Sequence, residues 1–220
     1  MSSVVAVVGI KTNNVRLPGK NTRPLAGRPL YEHMWSTLKQ CARIDRVLVD
    51  SSDPDILEAA RRWDFDTFER DPSFNGPEVS GHDLIENVMP AIDEDIIGQI
   101  FVTTPLIRAE TIDKAVALLQ ATETADCVLP VYQVFDRFWY RDQPVSHDPS
   151  TLVGTQYMDP LYREAGFYLF RREAFARERA RVTERKTFIE VDPEECADVD
   201  TEMDFLYAEA LIKGRDGQAD

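Results

Sequence analysis

The chain opens on an apolar run from Val4 to Ile10, rich in β-branched residues and apolar on both faces, which reads as a strand buried in a parallel sheet. After a polar loop, Tyr31, Met34, Trp35, Leu38 and Ala42 fall at i, i+3, i+4, i+7 and i+11, the single stripe of an amphipathic helix. The alternation then repeats. Strands are expected near Arg46–Val49, Phe65–Phe68 and Gln99–Thr103, and helices near Asp53–Trp63, Gly81–Ile92 and Ala109–Leu119. This order implies an α/β fold with a mostly parallel sheet, helices on both faces, and ligands outside the carboxyl ends of the strands. The loop after the first strand then lies at a ligand mouth.

From Asp126 the pattern changes. Val128–Val134 and Ala165–Phe170 read as strands, separated by a polar, aromatic stretch from Phe135 to Ser150. An interruption of that length reads as a hairpin, a lid or an oligomer contact. The last helix is expected to start at Thr201, capped with Asp204, and to bury Met203, Leu206, Tyr207 and Ala210. The reading is one domain over residues 1–213, with an excursion at about 135–160 and a frayed tail at 214–220.

Composition narrows the function. With 220 residues, 43% of them hydrophobic, the chain can bury one substantial core. It has no run long enough to be a membrane helix and no basic signal-peptide start, so a cytoplasmic protein is expected. Cys41, Cys127 and Cys196 are far apart and match no zinc or disulfide spacing. The net charge of −14 argues against nucleic acid and anionic membranes as partners. That average hides an asymmetry. Residues 1–31 carry Lys11, Arg16, Lys20, Arg23 and Arg28 and no acid, whereas the remaining 189 residues hold 20 basic and 39 acidic side chains. A cationic stretch in an acidic protein suits a compact polyanion such as a nucleoside triphosphate; chance and solubility are the plainer explanation.

The loop from Lys11 to Asn21 is neither a G-x-G-x-x-G dinucleotide fingerprint nor a G-x-x-x-x-G-K-[ST] phosphate loop. What it offers is a Pro18-Gly19 turn presenting Lys20 and Asn21, with Lys11 and Arg16 nearby to surround phosphate oxygens; a solvated basic loop reads equally well. Asp198-Val199-Asp200 is either a metal-binding carboxylate pair or an acidic turn capping the last helix. His33, His82 and His147 match no ligand spacing and read as structural.

Arg16-Leu17-Pro18-Gly19-Lys20-Asn21, followed by Arg23-Pro24-Leu25-Ala26-Gly27-Arg28-Pro29-Leu30, resembles the opening signature of the cytidylyltransferases that make CMP-activated sugar acids, R-G-G-S-K-R-L-P-G-K-N then P-L-x-G-x-P-L. Later positions resemble the sialic acid branch of that family. They are Arg70 with Asp83, the run Thr103-Thr104-Pro105-Leu106, the segment Tyr162-Arg163-Glu164-Ala165-Gly166-Phe167-Tyr168, and Asp198-Val199-Asp200-Thr201. The resemblance covers nearly the whole chain in order. It implies a Rossmann-like sheet of the nucleotide-diphospho-sugar transferase type and attack of an acceptor oxygen on the α-phosphorus of CTP, expelling pyrophosphate. Lys20 and Arg16 would stabilise the triphosphate, and Asp198 and Asp200 would hold Mg²⁺. Lys11, Asn14, Asn21, Arg70 and the segment around Ser80 would bind the nucleotide. Phe101, Thr103, Thr104, Arg108, Tyr162 and Arg163 would face a small anionic acceptor. The excursion would build a homodimer with Phe138, Trp139 and Tyr140 at the contact.

The departures matter as much. The family's G-G-S-K is Thr12-Asn13-Asn14-Val15 here and its leading arginine is Lys11, so phosphate contacts are expected to lean on Asn side chains. Where the family pattern has glutamine before P-T-S-P-L and asparagine before the glycine of Y-x-x-N-G, this chain has Phe101 and Ala165. Two polar contacts to a sugar become apolar, which points to a modified nonulosonic acid, another 2-keto sugar acid or a phosphonate as acceptor. A sugar-phosphate nucleotidyltransferase using another triphosphate, and a non-catalytic nucleotide-binding relative, are the alternatives.

Overall fold

A computed structural model describes residues 2–12, 14 and 16–216, the side chain of Asp216 excepted. The elements run β1 (Val4–Gly9), the two-residue pair β2 (Pro24–Leu25) and β3 (Arg28–Pro29), α1 (Leu30–Leu38), β4 (Arg46–Ser51), α2 (Pro54–Arg62), β5 (Asp66–Glu69), α3 (Gly81–Val88), β6 (Ile96–Ile100) and α4 (Ala109–Ala121). After these come β7 (Cys127–Val134), the short pair β8 (Trp139–Tyr140) and β9 (Gln143–Pro144), β10 (Leu161–Glu164), β11 (Phe167–Arg171), α5 (Arg172–Glu178), β12 (Lys186–Glu190) and α6 (Glu202–Asp216).

The main sheet follows the order β10-β7-β11-β6-β1-β4-β5, with β12 on β7. Strands β5, β4, β1 and β6 are parallel to one another, whereas β11 runs antiparallel to β6 and to β7. The fold is therefore the expected α/β sheet, with β1 at its centre because its residues are buried on both faces. On one face α1, α2 and α4 pack Met34, Trp35, Ile56, Ile112 and Val116 onto Ala6, Val8 and Val49. On the other, Ile85 and Val88 of α3 and Phe175 of α5 pack onto Val5, Val7 and Ile97.

A third cluster seats the last helix. Phe205, Ala208 and Ile212 of α6 bury themselves with Val199, Leu106 and the Leu25 and Leu30 side chains around the β2-β3 turn. Arg23 ties the same two segments from outside, bonding Glu202 through both guanidinium ends at 2.5 and 2.7 Å and lying 4.1 Å from the Phe205 ring centroid. The P-L-x-G-x-P-L segment is thus the seat of the last helix.

Several expectations need correction. The buried stripe of α6 is not Met203, Leu206, Tyr207 and Ala210, all of which are exposed. The helix carries apolar residues on two faces, and the hydrophobic seat made by Leu25, Leu30 and Leu106 selects the Phe205 face, a choice periodicity alone does not make. Nor does the tail fray at Gly214. The helix continues to Asp216, held by Arg215, whose guanidinium donates to the Leu106 carbonyl and pairs with Glu194, each at 3.3 Å. Residues 217–220 lie outside the described residues, as do Asn13 and Val15 of the departed loop. Strand β6 ends at Ile100, three residues before the expected end, because the chain turns at Phe101, where the Thr104 amide and hydroxyl both bond the Phe101 carbonyl. The segment between β7 and β10 is, as expected, an excursion from the sheet. It carries the exposed Trp139, Tyr140, Leu152 and Tyr157 and is held by its own contacts, such as Arg137 to the Val153 carbonyl at 2.6 Å.

Candidate functional site

The loop after β1 is fixed at its far end. The turn at Pro18-Gly19, where Gly19 takes φ +66°, folds the chain so that the amides of Thr22 and Arg23 bond the Gly19 carbonyl. Lys20 and Asn21 point inward and are buried. Lys20 Nζ donates to the Val199 carbonyl at 2.6 Å and to Asp200 Oδ1 at 2.7 Å, and Arg16 Nη2 lies 2.7 Å from Asp200 Oδ2. One carboxylate therefore holds the two cations that the sequence places 180 residues or more away.

The pair Asp198 and Asp200 is positioned by the residue between them. Val199 is fully buried in the α6 cluster, and its amide donates to the Thr103 carbonyl at 2.7 Å. Burial pushes the Asp198 carboxyl above its ordinary value; the Thr103 hydroxyl draws it back, the Asp200 charge pushes it up further, and Lys20 and Arg163 oppose. Asp198 Oδ1 is buried without a hydrogen-bond partner. A buried, unpartnered carboxylate oxygen beside a second carboxylate is a donor set that suits a hard cation. Among the described residues no group of three or more His, Cys, Asp or Glu side chains gathers to hold a metal. Thr201 and Asp204 form the expected cap: the Thr201 amide and hydroxyl both bond Asp204 Oδ2, at 2.8 and 2.7 Å.

On the β4 side of β1, Arg70 is buried completely. Its Nε donates to Asp50 Oδ1 at 2.9 Å and its Nη2 to Asp50 Oδ2 at 2.6 Å and to the Asp50 carbonyl at 2.8 Å. Arg70 is thus part of the wall, and a Cβ on Gly9 would stand 3.2 Å from its Nη2. Lys11 reaches the Gly76 carbonyl at 3.5 Å, and burial followed by the Arg70 charge holds its ammonium below the ordinary value. Asn21 donates to the Lys11 carbonyl at 2.7 Å, which closes the loop, while Asn21 Oδ1 and Asn14 Oδ1 are buried with no partner. Ser80 caps α3, sharing a capping box with Asp83.

The residues expected on the acceptor side divide. Phe101 sets its ring edge-on to Tyr168, with centroids 5.8 Å apart. Thr103 adjoins Asp198, whereas Thr104 is buried and bonded to the Phe101 carbonyl. Adjacent β10 residues face opposite ways. Arg163 bonds the Tyr132 hydroxyl at 3.0 Å and faces the Asp198 charge, while Tyr162 stacks on Phe188 and bonds Glu190. A cavity of 860 Å³ opens along Tyr132, Val134, Phe138, Tyr162 and Arg163. Arg108 is engaged elsewhere, pairing with Asp192 at 3.0 Å and with Glu195 at the mouth of a separate 630 Å³ groove between α4 and β12. Sequence reasoning missed Asp50; the signal was an acid following the apolar run Val47-Leu48-Val49 near the carboxyl end of β4.

A sequence profile described as cytidylyltransferase matches residues 6–212. The chain is similar to a 3-deoxy-manno-octulosonate cytidylyltransferase of Geobacter metallireducens, 27% identical over 54% of this chain and 45% of that protein. It is also similar to an N-acylneuraminate cytidylyltransferase of Oncorhynchus mykiss, 24% identical over 95% of this chain and 50% of that one. It therefore spans about half the length of these two relatives. Among solved structures, a CMP:2-keto-3-deoxy-manno-octonic acid synthetase complexed with CTP superposes with a TM-score of 0.72 at 18% identity, over 97% of this chain and 100% of that one. A 4-diphosphocytidyl-2C-methyl-D-erythritol synthase from Anaerococcus prevotii gives 0.70 at 14% identity, over 96% of each chain.

Proposed function

The chain belongs to the cytidylyltransferase family, and from that premise we propose that it transfers CMP from CTP to a small anionic acceptor, a nonulosonic or other 2-keto sugar acid or a phosphonate, releasing pyrophosphate. The observation that carries this reading is the Lys20–Asp200–Arg16 cluster beside the buried, unpartnered Asp198 oxygen, at the mouth where β1 ends. Displacement at the α-phosphorus asks for position and charge rather than covalent chemistry from the protein. Lys20 is held rigidly by two bonds and supplies a fixed positive charge. Arg16, with its side chain 69% exposed, is free to exchange Asp200 for phosphate oxygens and to follow the pyrophosphate as it leaves. Asp198 and Asp200 would hold Mg²⁺, which when bound neutralises charge on the reacting phosphate and the acceptor oxygen.

Selection of a pyrimidine falls to the wall made by Arg70 and Asn21, where the unpartnered Asn21 oxygen offers an acceptor. The exposed aromatic row of the excursion, Phe138, Trp139 and Tyr140, supports a homodimer; a monomer mass by light scattering would remove that part of the reading. The test of the activity is pyrophosphate release with each of the four nucleoside triphosphates and Mg²⁺, against sialic acids, 3-deoxy-manno-octulosonate and small phosphonates. Release with CTP and one acid is the expected result. Release with another triphosphate and a sugar phosphate would replace it, and CTP binding without turnover would leave a binding protein.

A further inference from the structure

The β11 side of the same mouth holds a cation that the fold leaves without a counter-ion. Arg181, in the connection between α5 and β12, lays its guanidinium over the Tyr168 ring, 4.4 Å from the centroid. Its Nη1 donates to the Gln99 side-chain oxygen, and its Nε is buried with no partner. Among the described residues no carboxylate comes within ion-pair distance of it, in contrast to Arg46, Arg70 and Arg177, each of which has one. Glu164, whose charge acts on Arg181, accepts the Tyr168 hydroxyl at 2.6 Å. Burial lowers the Arg181 pKa, yet a guanidinium keeps its proton, so the positive charge stays and is poorly solvated.

Its surroundings say what would neutralise it. Gln99 and Tyr168 are register partners on β6 and β11, so their side chains share one face of the sheet, and Phe101 meets Tyr168 at the strand end. The guanidinium also lies against the start of α3, where a Cβ on Gly81 would come within 2.7 Å of Nη1. A half-buried cation, an aromatic wall and a primary amide, beside a helix N-terminus, suit an anionic oxygen group better than a hydroxyl.

We propose that Arg181 is a specificity-determining residue of the acceptor subsite, binding a carboxylate or phosphonate of the acceptor beside Phe101 and Tyr168. This rests on the cytidylyltransferase reading above. The test is steady-state kinetics of Arg181→Met and Arg181→Lys with CTP and whichever acceptor the wild type turns over, alongside thermal melts to confirm folding. Arg181→Met should raise the acceptor KM about tenfold to a hundredfold while the CTP KM stays within about twofold, and Arg181→Lys should recover part of the loss. Gly81→Ala, which keeps the charge and pushes it aside, should move the acceptor KM in the same direction. Running the acid against its methyl ester, and sugar acids against phosphonates, tells which anion is bound; Arg181→Met should erase the preference for the acid. An unchanged acceptor KM, or equal changes for acid and ester, would overturn the assignment. If the wild type turns over no acceptor, the cytidylyltransferase reading fails on its own account. Arg181 is then judged by the melting shift that each acid produces in the presence of CTP, where equal shifts in wild type and Arg181→Met, or none, overturn it.

Discussion

The two sides of the β1 end are held in opposite ways. On the β4 side, Arg70 and Asp50 exchange a bidentate pair with both side chains almost wholly buried. On the β11 side, Arg181 has an amide and an aromatic face but, among the described residues, no acid within ion-pair distance. A buried cation that is fully paired inside the fold has nothing left to give a ligand; it fixes the shape of a wall. One held by an amide and a ring face alone keeps its charge for an anionic ligand. In the Lys20–Asp200–Arg16 cluster two cations share one carboxylate, Lys20 buried and tied also to the Val199 carbonyl, Arg16 on an exposed ion pair.

The sharpest way to break this comparison is to unpair the paired side. Asp50→Asn leaves the Arg70 charge buried without its carboxylate, and a loss of about 3–5 kcal/mol of stability is expected. Replacing both, Asp50→Leu with Arg70→Met, should restore most of it. Denaturant unfolding of the two variants decides the matter: equal stability of Asp50→Asn and wild type would return Arg70 to the list of groups free to bind nucleotide.

Next in size is the tethered cluster. Lys20→Ala should lower kcat by about 10²–10³-fold, and should also cost about 1–3 kcal/mol of stability because the Val199 carbonyl and Asp200 lose a buried donor. Asp200→Asn should lose turnover similarly and also free Arg16 and Lys20 from their shared carboxylate. If either variant keeps wild-type kcat, the loop after β1 is a solvated basic segment after all.

How far the sequence foretold this depends on the range of the interaction. The β1 run, the α1 stripe from Tyr31 to Leu38 and the Thr201 cap were legible because each is a local pattern of burial or capping, whereas Ala42, expected to continue the stripe, lies past the end of the helix and is exposed. The convergence of Lys20 with Asp200 was reached only through resemblance, since no periodicity links residues 180 positions apart. Three features were not legible. The face that α6 buries depends on a seat made by Leu25 and Leu30. Arg108 looked free until Asp192 and Glu195 were brought beside it. Strand β12, at Lys186–Glu190, alternates exposed and half-buried residues at the sheet edge and so lacks the apolar run that betrays a central strand.

The smallest expected effect sharpens the unpaired side. Phe101 lines it with an apolar edge against Tyr168, so an acceptor hydroxyl laid there loses its water without gaining a partner, at a cost of about 1–3 kcal/mol. Phe101→Gln supplies an amide at that point and should shift the ratio of kcat/KM toward the acceptor richer in hydroxyls by the same amount, roughly 5- to 150-fold. The aromatic pair is lost at the same time, which should lower stability by about 0.5–1.5 kcal/mol. Phe101→Leu separates the two consequences, since it breaks the ring contact and keeps the apolar edge. Kinetics with N-acetylneuraminate and 3-deoxy-manno-octulosonate on both variants reads the outcome. A selectivity shift in Phe101→Gln that Phe101→Leu does not share assigns the effect to hydrogen bonding at the wall. Equal shifts in the two would make Phe101 a packing residue and leave Arg181 as the feature that distinguishes this side.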